Sequence, residues 1–287
     1  MSTVILLTLT GLGLAALYFL IASGLSLVFG LAGVLNFAHG LFLSVGAYAT
    51  WWAAPRWGLA AAVPVGIAAG ALTGALTELV LIRPLYRRPT EQVLVTVGLS
   101  LAGVALLQSV WGADALPYPR PSWASEITSV GGAQVPDDRF LLIGAAVAVL
   151  LALLLFLHRT RYGLVIRAGV ENRAMVSALG IDVRRAFTLV FAIGGALAGT
   201  AGVLGGMYFG SVSPGQGASL LIFAFIVVVI GGLGSVTGSA VAAVAVGLLQ
   251  QFLNYYGTAG AGDVSVVVLL AAVLLLRPAG LVGTATA

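Results

Sequence analysis

No Asp, Glu, Lys or Arg stands before Arg56, and none stands between Arg185 and Asp263. Runs of that length, built from Leu, Val, Ile, Ala, Gly and Phe, cannot supply the polar surface that a water-soluble fold exposes. Of the 287 residues 60% are hydrophobic and 8% charged, with a mean hydropathy of +1.12. A soluble domain carries roughly 25% charged residues. The sequence therefore predicts an all-α, polytopic transmembrane bundle forming a single domain over 1–287. Cys is absent, which excludes disulfides and thiolate metal sites. No metal site and no cofactor of the chain's own is expected.

A span needs about 20 apolar residues. Val4 to Leu35 exceeds that, and reads either as one long tilted helix or as a span followed by a broken segment near Gly30–Gly33. The N-terminus lacks the basic region of a cleaved signal peptide and reads as retained. Further spans are expected over 36–54, 59–82, 93–111, 140–157, 187–208, 220–230, 236–252 and 265–276, about nine crossings in all. Pro55-Arg56-Trp57-Gly58 reads as a turn, and 112–138 as a loop rich in Pro, Ser and acids. Trp51, Trp52, Trp57, Trp111 and Trp123 read as interfacial anchors.

All thirteen basic residues are Arg. Ten of them fall at 83–91, 159–185 and Arg277, while Arg56, Arg120 and Arg139 fall on the opposite side. Basic residues accumulate on the cytoplasmic side, so 159–185 is expected inside and 112–138 outside. The N-terminus is then outside if the first run crosses once and inside if it crosses twice. Arginines beside spans are orientation signals, and no nucleic-acid partner is implied.

Three places invite a functional reading. Asn36 is an expected N-cap for a helix beginning at Phe37, with His39 one turn on and Gly40 beside it. A helix starting inside the membrane aims free N–H groups at a solute, so Asn36, His39 and Gly40 are substrate-path candidates. If the break lies at the membrane surface, they only cap a helix. Gly231, Gly232, Gly234 and Ser235 offer a second break; Ile230–Ser235 echoes Leu31–Asn36, as a duplicated half would and as Gly/Ala richness alone would. Backbone exposed along a path and a plain turn fit this break equally. Glu78, five residues before Arg83, reads as a snorkelling or paired carboxylate near the interface rather than a proton relay.

The third place is 159–185, a short amphipathic helix with Leu164, Ala168, Met175 and Leu179 near one face, ended by Gly180. Composition alone reads it as a helix resting on lipid. However, Arg161-Tyr162-Gly163-Leu164, Arg167-Ala168, Glu171-Asn172, Ala174 and Ala178-Leu179-Gly180-Ile181 resemble the coupling loop of permeases in the branched-chain amino acid ABC importers. Four further blocks agree: Gly24-Leu25 through Asn36-Phe37-Ala38-His39-Gly40 with Gly46-Ala47-Tyr48; Arg83-Pro84-Leu85 with Thr96–Ser100; Gly231–Ser235 with Gly238; and Leu276-Arg277-Pro278 with Gly280-Leu281. One departure is that Glu171 stands nine residues before Gly180, wider than in ABC importers at large.

The resemblance implies a bacterial inner-membrane permease whose Arg161, Gly163, Arg167, Glu171, Asn172, Ala174, Ala178 and Gly180 contact cytoplasmic ATPase subunits. It also implies a homologous second permease or a second copy, and an external solute-binding protein, with the lipid bilayer around the spans. ATP would bind the partner subunit. The residues agree, because a P-loop needs a Lys and this chain has none. The expected solute is a branched-chain or other apolar amino acid. Urea or a short amide, and a secondary transporter coupled to ions through Glu78, are the alternatives.

Overall fold

The computed structural model describes residues 2–168 and 183–282. Helix α1 (Ser2–Ala32) is one unbroken rod of 31 residues, buried at every position from Gly13 to Val28. A helix apolar all round has no face to turn to water, and α1 forms the mast on which the rest is hung. It is long and apolar enough for a single crossing, and the break that the sequence left open falls after it. Gly33, at φ 65°, ends it with a bond from its N–H to the Phe29 carbonyl.

Helix α2 (His39–Trp57) runs through Pro55, contrary to the turn expected there. Gly58, at φ 79°, stops it instead, since that conformation is open to glycine and strained for other residues. Helix α3 (Leu59–Leu76) continues as a π turn, Thr77–Ile82, and a 3-10 turn, Arg83–Leu85. Helix α4 (Pro89–Trp111) opens on a proline at its first position, where the missing N–H costs nothing.

The 112–138 segment is more ordered than a loop. It contains β1 (Leu116–Pro117) and a hairpin of β2 (Ile127–Val130) and β3 (Ala133–Pro136). Gly131 and Gly132, both at positive φ, make the two-residue turn that a right-twisted hairpin favours. Helix α5 (Asp138–Arg159) follows, then helical turns at 161–168, then α6 (Val183–Phe209). Strand β4 (Ser211–Val212) pairs with β1. Helices α7 (Gln216–Gly231), α8 (Val236–Tyr256) and α9 (Ala261–Leu276) complete the bundle.

Among the described residues six helices are long and apolar enough to cross a membrane: α1, α3 with its extension, α4, α5, α6 and α8. Of the other expected crossings, α7 and α9 have 16 residues each, and α2 opens inside the bundle. The fold is thus an all-α polytopic bundle with an arginine-rich end and a hairpin end.

Close packing runs through glycine. Gly66, Gly70 and Gly74 recur every four residues along α3 and meet Gly195 and Gly199 of α6. A Cβ on Gly70 would fall on the Gly195 carbonyl, so only glycine lets the two backbones touch, as association between apolar helices in lipid requires.

Candidate functional site

The break between α1 and α2 re-enters the bundle. Asn36 does not cap a helix at Phe37 as expected. Its Oδ1 accepts from the Ala38 N–H at 3.0 Å, and the helix begins at His39. The Asx turn bends the chain back before helical geometry can start. His39 then lies against the middle of α1. Its Nε2 is 3.2 Å from the Ile21 carbonyl, and a Cβ on Gly24 would meet its ring at 3.0 Å. A carbonyl only accepts, so Nε2 carries the proton.

Depth follows from these contacts. Ile21 and Gly24 are two to three turns from Ala32, about 12–16 Å at 1.5 Å per residue. Measured from the end of α1, the start of α2 therefore lies well inside the bundle. Thr96, two turns into α4, bonds to the Phe37 N–H at 3.3 Å, in agreement. Asn36 and His39 are both 0% exposed. Asn36 Nδ2, His39 Nδ1 and Ser26 Oγ have no hydrogen-bond partner among the described residues. Gly40 packs on Gly217 at the start of α7; a Cβ there would be 2.5 Å from the Gly217 carbonyl.

The second break is shallower. Gly234 rests on Gly30, near the end of α1, and Ser235 caps α8 by accepting from the Gly238 N–H at 3.0 Å. Gly231 and Gly238 are in backbone contact. The tail closes over this turn: Leu281 N–H bonds to the Ile230 carbonyl at 2.8 Å and Val282 N–H to that of Gly231 at 3.3 Å. These occupy carbonyls that the end of α7 leaves open. The two breaks echo each other in sequence but lie at different depths, so Gly231, Gly232, Gly234 and Ser235 are not joined to Asn36, His39 and Gly40 in one cluster.

At the arginine-rich end Glu78 is 0% exposed. The π turn explains its pairing. Residues five apart do not share a face of an α-helix, but here the Arg83 N–H bonds to the Glu78 carbonyl, the i→i+5 bond of a π turn. Arg83 then reaches the carboxylate through Nε at 3.2 Å and Nη2 at 3.1 Å. Tyr86 Oη and Thr188 Oγ1 each donate at 2.7 Å. Thr188 belongs to the first turns of α6, so one carboxylate ties α3, the 83–88 turn and α6 together. Nothing local in the sequence points to Tyr86 or Thr188.

Of the expected coupling residues, Arg161, Gly163 and Arg167 are described. Glu171, Asn172, Ala174, Ala178 and Gly180 lie outside the described residues. Thr160 Oγ1 accepts from the Gly163 N–H at 2.9 Å and starts the turns. Gly163 packs on the backbone of Phe156 and Leu157 at the end of α5. Arg161 and Arg167 are exposed. The buried side of these turns is Gly163 and Ile166; Leu164, expected on the apolar face, is 61% exposed. The close seat of Gly163 on α5 fixes the rotation.

A family model described as branched-chain amino acid transport system / permease component matches residues 7–276. The chain is 30% identical to the high-affinity branched-chain amino acid transport system permease protein LivH of Escherichia coli K12, over 95% of this chain and 93% of that one. It is 32% identical to the corresponding permease protein BraD of Pseudomonas aeruginosa, over 95% and 94%. A match to the autoinducer 2 import system permease protein LsrD of Yersinia enterocolitica has 31% identity over 69% of this chain and 60% of the other. No solved structure matches.

Proposed function

Because the chain belongs to the family of branched-chain amino acid transport system permease components, we propose that it is the membrane-spanning permease subunit of an ATP-driven importer for branched-chain or other apolar amino acids. The observation that carries this is the match along almost the whole chain to relatives named for that solute class. The hydrolysis belongs to separate ATPase subunits, since the chain holds no Lys for a P-loop. They dock on the arginine-rich, cytoplasmic end at 159–185, with Arg161 and Arg167 offering exposed charge. A second permease, homologous or identical, completes the pathway in the bacterial inner membrane, and a solute-binding protein delivers solute at the hairpin end.

Transport is by alternating access. Closure of the ATPases pushes the segment between α5 and α6, and the Glu78 cluster passes the displacement from α6 to α3. The re-entrant start of α2, well inside the bundle beside α1, is the substrate-path element. Its Asn36, His39 and Gly40 include no fixed charge, which suits a zwitterion better than a net ion. Coupling to ions through Glu78 has little support, because four donors already hold its carboxylate.

A relative named for autoinducer 2 makes the solute the finer question. Vesicles carrying the chain with its ATPases, second permease and binding protein should take up leucine with ATP, unaffected by excess urea. Urea uptake that leucine does not compete would replace the amino-acid assignment with the short-amide one.

A further inference from the structure

At the hairpin end a cleft of about 780 Å³ opens between α1, α7, α8 and the ends of α4 and α6, within the size range of small-molecule sites. Its walls carry Tyr18, Gln216, Ser219, Gln250 and Asn254, a set of neutral donors and acceptors. Neighbouring crevices differ in kind. The one between α1 and α5 is lined by Leu, Ala, Phe, Ile and Val throughout, which suits acyl chains.

Gln250 is held by both ends of its amide. The Tyr18 hydroxyl donates to Oε1 at 2.7 Å, and Nε2 donates to Asp263 Oδ1 at 2.6 Å. A carboxylate only accepts, so the amide orientation is set. Tyr18 is 2% and Gln250 5% exposed. Each end of the Gln250 amide thus keeps the capacity for one further hydrogen bond. The floor is apolar: Leu14, Leu220 and Phe223, with the Phe223 ring stacked on Tyr18 at 5.3 Å between centroids and 17° between planes. One turn further along α1, Ile21 holds His39, which is fully buried. The cleft thus ends above the re-entrant start of α2 and does not reach it.

We propose that this cleft is the subsite that receives the solute from the hairpin side. The Gln250 amide holds the ammonium and carboxylate of an aliphatic amino acid while its side chain lies on the Leu220–Phe223 floor. The solute class rests on the function proposed above. The Tyr18–Phe223 stack is then the floor that must part before solute passes to the level of His39.

The absence of Cys makes the test direct. Ser219 is exposed, and Ser219→Cys places one thiol on the wall of the cleft. The complete importer bearing it is labelled with a membrane-impermeant maleimide, with leucine or urea added without the binding protein. Leucine should slow labelling and urea should not. Gln250→Leu should abolish that protection. The milder Tyr18→Phe, which removes only the hydroxyl that orients Gln250, should raise the half-protecting leucine concentration about three- to tenfold, as loss of one hydrogen bond does. Labelling that leucine leaves unchanged overturns the subsite. So does protection that survives Gln250→Leu. If the same preparation, once supplied with the binding protein, takes up leucine with ATP, only the subsite falls; if uptake is absent even then, the proposed function falls with it. Protection by urea alone overturns the amino-acid assignment of the cleft.

Discussion

Glu78 is a buried carboxylate whose burial is made tolerable by its neighbours. A charge taken out of water is retained only with paired and hydrogen-bonded partners, and Arg83, Tyr86 and Thr188 supply them. Glu78→Ala removes an acceptor that all three share. Breaking a fully buried pair costs about 3–5 kcal/mol. The Arg83 side chain is 36% exposed and can turn to water, so a loss of about 1–3 kcal/mol is expected. Thermal unfolding of the detergent-solubilised protein should register it, with Glu78→Gln affected less because one oxygen remains. An unchanged Tm in Glu78→Ala would show that the cluster stabilises nothing. The pairing of Glu78 with Arg83 was legible from their closeness in sequence. Thr188 was not, because it stands 110 residues away and only the packing of α3 on α6 brings it there.

At the scale of elements, the contact between α3 and α6 depends on backbone approach. Gly70→Val introduces a branched side chain where even one carbon meets the Gly195 carbonyl. Overpacking of this kind costs about 1–3 kcal/mol or more; solubilised Gly70→Val should aggregate on heating several degrees below the parent, and an equal onset would contradict the zipper. The four-residue spacing on α3 is visible in the sequence, but 39 glycines scatter too widely to name its partner. The start of α2 was expected at Phe37, two residues before His39, but its place inside the bundle was hidden for a related reason. The run from Leu31 to Phe37 is apolar throughout except for Gly33 and Asn36, so hydropathy carries no sign that the chain turns back toward Ile21 and Gly24. The helical turns at 161–168 were legible, but their rotation was not, because Gly163 settles it by seating on α5. The coupling role can be tested on its charge: Arg167→Glu with Arg173→Glu should greatly reduce co-purification of the ATPase subunits. Retention at the parental level would leave the segment a lipid-facing helix.

For the whole molecule, a mast helix buried from Gly13 to Val28, a glycine-packed pair beside it and an exposed arginine-rich face form the frame. Class and family were legible because they rest on properties spread along the chain: two long uncharged runs, arginine asymmetry, and motif blocks in order from Gly24 to Leu281. The depth of the re-entrant segment and the polar cleft above it depend on which helices pack together, and the apolar pattern does not encode that. The proposed permease function requires that a separate ATPase drive transport. Its most direct measurement is uptake of labelled leucine into proteoliposomes holding the chain, its second permease and its ATPases, with binding protein outside and ATP inside. Accumulation is predicted with ATP and none when the ATPase subunits are omitted, whatever ion or proton gradient is imposed. Leucine accumulation driven by such a gradient in the absence of the ATPases would contradict it.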